Sequence, residues 1–139
     1  MALWLINKYF LYKYGVTLAG ADFKTLTKPV AIADVQKACA RDLLREWVSK
    51  INDPAYLKDS HQQSYVVLNL CRILHTVTRG KPVSKKDAVA WAKKEYPQWV
   101  HLIADAAKWH YGVKMTRQKD VIGFIKFAAA QVKTRNLAP

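Results

Sequence analysis

The chain has 139 residues, 51% of them hydrophobic, and its 23 Lys and Arg against 10 Asp and Glu leave a net charge of +13. That length fits one domain with its own core, and the composition excludes a disordered or disulfide-stapled chain. The charge says nothing about fold, but it implies an anionic partner: a nucleotide, nucleic acid, an acidic membrane surface or an acidic neighbouring domain.

The opening stretch MALWLINKYFLYKY reads as a first helix over residues 2–14, ended by Gly15. It lacks a basic leader and a cleavage site, and Asn7, Lys8 and Lys13 interrupt it, so neither a secretory signal nor a membrane span is expected. Trp4, Leu5, Phe10 and Leu11 lie around much of its circumference, as in a helix held between two bodies. Residues 16–30 follow as an extended connector, because Gly20 and the Lys28-Pro29 step oppose a helix.

A second helix runs from 32–34 to about 50, with Val35, Ala38, Cys39, Leu43 and Val48 as its core stripe and Leu44 and Trp47 extending it. Asn52, Asp53 and Pro54 stop it, and residues 54–60 read as a loop in which Ser60 is a candidate cap. The third helix ends at Arg79. Its positions Val66, Val67, Leu70, Ile73, Leu74 and Val77 share one face, with Arg72 almost opposite, beside Tyr65, Asn69, Thr76 and Arg79. Gly80 is the residue expected just past a helix end.

Ser84 with Asp87 fits a capping box, which places Lys85 in the first turn of a fourth helix over 85–95. Pro97 fits the first position of a fifth helix reaching His110 or Tyr111, closed by Gly112. A sixth helix covers 117–134, its stripe built from Val121, Phe124, Ile125, Ala128 and Val132. No strand pattern or repeat appears. The expected fold is all-α, a compact antiparallel bundle of about five to six helices.

Groups that move protons, attack or hold metals are the signature of an enzyme, and here they are sparse. There is no D-x-D pair, no glycine-rich phosphate loop, no G-x-S-x-G, and no HExxH or zinc spacing. No catalytic and no metal-binding residue is assigned. His61, His75, His101 and His110 are scattered, and His75 beside an apolar face reads as a hydrogen-bonded boundary residue. Cys39 and Cys71 sit in apolar helical patterns, the usual place of free thiols in a reduced, cytoplasmic setting.

A binding constellation does emerge. Arg72 lies about 12 Å below the end of its helix at ~1.5 Å per residue. Lys85 opens the helix that returns beside it. Lysine opposes its own macrodipole there, next to free N–H groups, an arrangement that suits a phosphate; the alternative is a solvated surface lysine. The two cations can meet on one polyphosphate, Arg as a fork and Lys as a point charge. Tyr111 either adds a hydroxyl or stacking surface or simply packs on the bundle.

These residues carry a resemblance. The run VVLNLCRILHTVTRGKPVSKKDAVAWAKKEYP, followed by a helix ending in Trp109-His110-Tyr111, resembles the C-terminal helical domain of bacterial aminoglycoside adenylyltransferases, the streptomycin/spectinomycin-modifying family. GVTLAGAD resembles that family's G-V-x-L-Y-G-P junction, with Ala19 in place of Tyr and Ala21 in place of Pro. The resemblance implies that residues 1–14 are the connecting helix from an absent N-terminal catalytic domain, and residues 15–139 the helical substrate- and nucleotide-binding domain. It implies ATP as nucleotide, with Mg²⁺ held by the absent domain, in cis or in trans. It implies nucleotide contact by Arg72, phosphate contact by Lys85, and a place at the nucleotide site for Tyr111. Trp47 with Asp53 is the nearest match to the Trp and Asp that streptomycin-accepting members carry, with Trp47 as core the alternative. The function so implied is AMP transfer to an aminoglycoside-type hydroxyl, inactive without the catalytic domain. A basic module that binds nucleic acid, or docks on a separate nucleotidyltransferase, is the competing reading.

Overall fold

In the computed structural model, which describes residues 2–135 apart from the side chains of Ala2, Leu3 and Phe23, the helices are α1 (Ala2–Tyr14), α2 (Ile32–Asp42), α3 (Pro54–Lys58), α4 (Ser60–Arg79), α5 (Lys85–Glu95), α6 (Val100–Lys108) and α7 (Gln118–Thr134). Met1 and residues 136–139, included in the expected segments 1–14 and 15–139, lie outside the described residues. No strand occurs among the described residues, and no helix there is long and apolar enough to cross a membrane.

The all-α bundle is as expected, and α4 is its axis. Val66, Val67, Leu70, Ile73, Leu74 and Val77 are all buried, and α2, α5, α6 and α7 pack around them. Phe124 and Ile125 of α7, Leu102 and Ile103 of α6, and Ala88 and Ala92 of α5 complete the core. Gly123, mid-way along α7, leaves room for the Trp99 ring, since a Cβ there would stand 3.1 Å from it. α1 packs one side on α2, burying Ile6, while Trp4, Leu11 and Tyr14 stay exposed on the other.

Helix boundaries follow local chemistry. Gly80 takes the left-handed conformation (φ 65°), and its N–H donates to the Thr76 carbonyl at 2.9 Å, closing α4. Ser84 Oγ accepts the Asp87 N–H at 3.1 Å, opening α5.

The structure differs from the sequence pattern at several places, the first being that α2 ends at Asp42 and not near residue 50. Residues 54–58, expected as loop, form α3, because Pro54 suits a first turn and Asp53 Oδ1 accepts the Tyr56 N–H at 3.1 Å. The cap of α4 is Asp59, which accepts the Gln62 N–H at 2.9 Å; the Ser60 hydroxyl is engaged by the Met115 N–H at 2.8 Å instead. α6 stops at Lys108, since Trp109 turns extended and its indole N–H donates to the Val113 carbonyl at 2.7 Å. Thr76, expected on the open side with Arg72, is buried, its hydroxyl donating to the Arg72 carbonyl at 2.9 Å.

One buried amide joins three segments. Gln63 is 1% exposed; its Nε2 donates to the Leu57 carbonyl at 2.8 Å and its Oε1 accepts the Arg117 N–H at 2.9 Å. Replacing it by an apolar isostere leaves both backbone groups unpaired. Gln63→Leu is therefore expected to destabilise the fold by about 3 kcal/mol, read as a lower urea midpoint with an unchanged slope.

Candidate functional site

The same helix that forms the axis leaves one strip uncovered. Tyr65, Asn69 and Arg72, at i, i+4 and i+7, stand in one row on α4 and wall a cavity of about 410 Å³. Asn69 Nδ2 donates to the Tyr65 carbonyl at 2.7 Å, which holds this row to its own backbone.

The opposite wall comes from a change of helical pitch. After Asp42 the chain continues as a π-helical turn (Leu43–Trp47) and then a 3₁₀ turn (Val48–Asn52). Asp42 at the end of α2, Arg45, Glu46 and Trp47 of the π turn, and Ser49 and Lys50 of the 3₁₀ turn line the cavity. Such wide turns are common at functional sites because they re-aim side chains without ending the helix. Tyr56 of α3 and Ile6 of α1 close the ends.

Arg72 is the strained group of this wall. Its Nε is buried with no hydrogen-bond partner, the only charged group among the described residues with such an atom. Burial lowers the guanidinium pKa from its ordinary value, and Cys39 and Tyr65 act weakly in the opposite sense. A buried donor without a partner needs an explanation, and a donor in a cavity wall beside other cations fits an anionic oxygen.

Lys85 is on the same side of the molecule. Its Nζ stands 5.6 Å from the centre of the Tyr65 ring. The turn after Gly80 brings it back along α4: the neutral His75 ring donates through Nδ1 to the Lys81 carbonyl at 2.8 Å, so the returning segment is tied to α4 before α5 starts. Trp47 meets the same Tyr65 ring at 5.8 Å. Lys85 and Trp47 thus meet at Tyr65, which lines the same cavity as Arg72.

Two candidates stand elsewhere. Asp53 is exposed and outside the cavity wall; its carboxylate caps α3 and so sets where Tyr56 points. Tyr111 is 79% exposed and stacks on His61 at 5.5 Å, edge-on to Trp109 at 5.0 Å. His61 lies 6.0 Å from Tyr65, so Tyr111 ends a row of rings leading out from the cavity.

Sequence reasoning gave no role to Tyr65, Lys50, Tyr56, Glu46 or His61. Tyr65 was legible, since it shares a helix face with Arg72. Tyr56 was hidden by the loop reading of its segment, and Glu46 and Lys50 by a pitch change that periodicity does not report.

The cysteines are not nucleophiles: both are buried, and burial pushes their thiols up to about 12. Among the described residues no group of three or more His, Cys, Asp or Glu side chains is arranged to hold a metal.

A model of the family described as "Aminoglycoside adenylyltransferase, C-terminal domain" matches residues 25–135. No curated protein and no solved structure matches the chain. The matched span contains Trp47, Asp53, Arg72, Lys85 and Tyr111, and leaves out α1 and the GVTLAGAD segment.

Two outcomes follow from the site's energetics. Arg72→Met keeps the length and apolar contacts while removing an unpaired charge, so it is expected to raise the thermal midpoint, by about 1 kcal/mol in stability; a lower midpoint would mean the guanidinium is structurally paired. Burial lowers the His75 pKa below 6.5. The folded state thus favours the neutral ring, and this contribution is complete above about pH 6.5 and lost as pH falls through the folded value. Urea midpoints at pH 7.5 and 5 are expected to differ less in His75→Gln than in the parent.

Proposed function

The chain belongs to the aminoglycoside adenylyltransferase C-terminal domain family, and on that premise we propose that it supplies nucleotide-phosphate and acceptor contacts for AMP transfer from ATP to a hydroxyl of an aminoglycoside-type compound. The observation that carries this reading is the half-buried Arg72, whose buried Nε has no hydrogen-bond partner, in a cavity wall shared with Tyr65, the ring that Lys85 faces.

The residues present fit a phosphate chain. Arg72 presents a planar fork suited to two oxygens, and Lys85 a point charge. Both would be in place before the nucleotide arrives, so little reorganisation opposes binding. In the transfer, the acceptor oxygen bonds to the α-phosphorus while the bond to the leaving pyrophosphate breaks. The negative charge that grows on the leaving group is what fixed cations stabilise. Mg²⁺, with the carboxylates that bind it and the base that takes the acceptor proton, belongs to an N-terminal nucleotidyltransferase domain in this reading.

The acceptor side rests on Trp47 and Asp53. Tyr111, at the outer end of the ring row, would border the nucleotide. The partner domain has a surface to meet: Trp4, Leu11, Tyr14, Val16 and Leu18 are all exposed, the last at 96%. Apolar patches of that kind mark interaction sites, and Lys8 and Lys13 beside them favour an acidic partner face.

The test joins the chain to a family catalytic domain. The chain alone is expected to transfer no AMP. In the joined protein, Arg72→Ala and Lys85→Ala are each expected to raise KM for ATP about tenfold or more, with KM for the acceptor nearly unchanged. Parental kinetics in both variants would remove the assignment.

A further inference from the structure

Two tyrosines of the cavity wall are each faced by one of the chain's own lysines. Lys85 Nζ lies 5.6 Å from the Tyr65 ring centre, and Lys50 Nζ only 4.3 Å from that of Tyr56. A ring face already holding an ammonium offers little to a cationic guest. The charges agree: Arg45, Lys50 and Arg72 line the cavity with Lys85 at its Tyr65 side, against Asp42 and Glu46.

We infer that Lys50 is a third cation of the phosphate site, and that Tyr56 and Tyr65 are positioning residues that hold Lys50 and Lys85 ready for it. This rests on the nucleotide reading above and adds residues to it.

Local hydrogen bonds shape the Lys50 pair, and Tyr56 also packs against the core. The Lys50 carbonyl accepts the Asp53 N–H at 3.0 Å, ending the 3₁₀ turn, and Asp53 Oδ1 then accepts the Tyr56 N–H at 3.1 Å. Lysine and tyrosine are thereby folded toward each other across a six-residue step. A free lysine side chain has four rotatable bonds to immobilise when it binds, which weakens any contact it makes. A ring beneath it removes most of that cost while using no N–H donor in a conventional hydrogen bond, so all three remain for phosphate oxygens. Arg72, seven residues beyond Tyr65 on the α4 row and in the wall of the same cavity, provides the fork. A triphosphate carries more charge than Arg72 and Lys85 alone neutralise, and Lys50 is the further cation that both lines the cavity and is held in place.

The experiment is calorimetric titration of the full chain with Mg-free ATP and with inorganic tripolyphosphate at low salt, with a thermal midpoint for every variant. Lys50→Gln is expected to weaken both ligands about tenfold. Lys86→Gln, adjacent to Lys85 but outside the cavity wall, is expected to stay within about twofold of the parent. Tyr56→Phe keeps the ring and should bind as the parent does, whereas Tyr56→Leu should lose about as much as Lys50→Gln. The double variant should be no weaker than Lys50→Gln alone, because the ring acts through the lysine. Parental affinity in Lys50→Gln, with Arg72→Ala still impaired, would overturn the inference and leave the nucleotide reading standing. Additive losses in the double variant would overturn the positioning role. No binding of either ligand by the parent chain would overturn the inference as well, while the ATP kinetics of Arg72 and Lys85 variants in the joined protein judge the wider reading separately. Should Tyr56→Leu fail to fold, Lys50→Gln and Tyr56→Phe still decide.

Discussion

A guanidinium set into the flank of the helix at the centre of the bundle is the constraint around which this molecule is built. α4 buries residues on nearly every side, and Arg72 occupies the one strip that neighbours leave open. Sinking its Nε without a partner costs free energy that an apolar residue would not. The fold tolerates that cost because the rest of α4 is densely packed: Leu70, Cys71, Ile73 and Leu74 on either side of Arg72 are all buried. Positions held this firmly fix the direction of a long side chain far better than a surface helix does.

Second-tier contacts decide what else reaches that strip. The His75 to Lys81 hydrogen bond and the left-handed Gly80 return the chain along α4, so α5 opens with Lys85 beside Tyr65 and not at the far end of the bundle. On the other side, Gln63 and Ser60 tie α4 to the segment before α7, which steadies the loop carrying Trp109 and Tyr111. The row of rings from Trp47 through Tyr65 and His61 to Tyr111 is therefore anchored at both ends. Trp47 and Tyr65 thereby give the charged cavity a flat, partly apolar border, and His61 and Tyr111 continue it outward.

Charge distribution sharpens the picture. The net charge of +13 is spread over much of the chain, but a solvated lysine and a cavity lysine differ in how much freedom remains to be lost. Lys50 and Lys85 have ring faces beneath them, whereas Lys86, Lys119, Lys126 and Lys133 are simply exposed. Overall charge attracts an anion over long range; in the proposed site, the held cations are what would select where it rests.

The sequence by itself determined the helical bundle, the stop at Gly80 and the start at Ser84, the apolar face of α4 with Arg72 opposite, and the family, because each is written in local spacing or in a contiguous motif. Tertiary structure alone decided that Thr76 is covered while Arg72 is not, although the two share a helix face. A local signal, the Asp53 cap before Pro54, formed α3 where a loop was expected, but tertiary structure decided that the helix after Asp42 widens into a π turn and that Tyr111 stands outside the cavity. The reason is physical: periodicity reports which side chains point the same way from one helix, but burial and pairing depend on which neighbour arrives to cover that side, and that is set by packing between segments far apart in the chain.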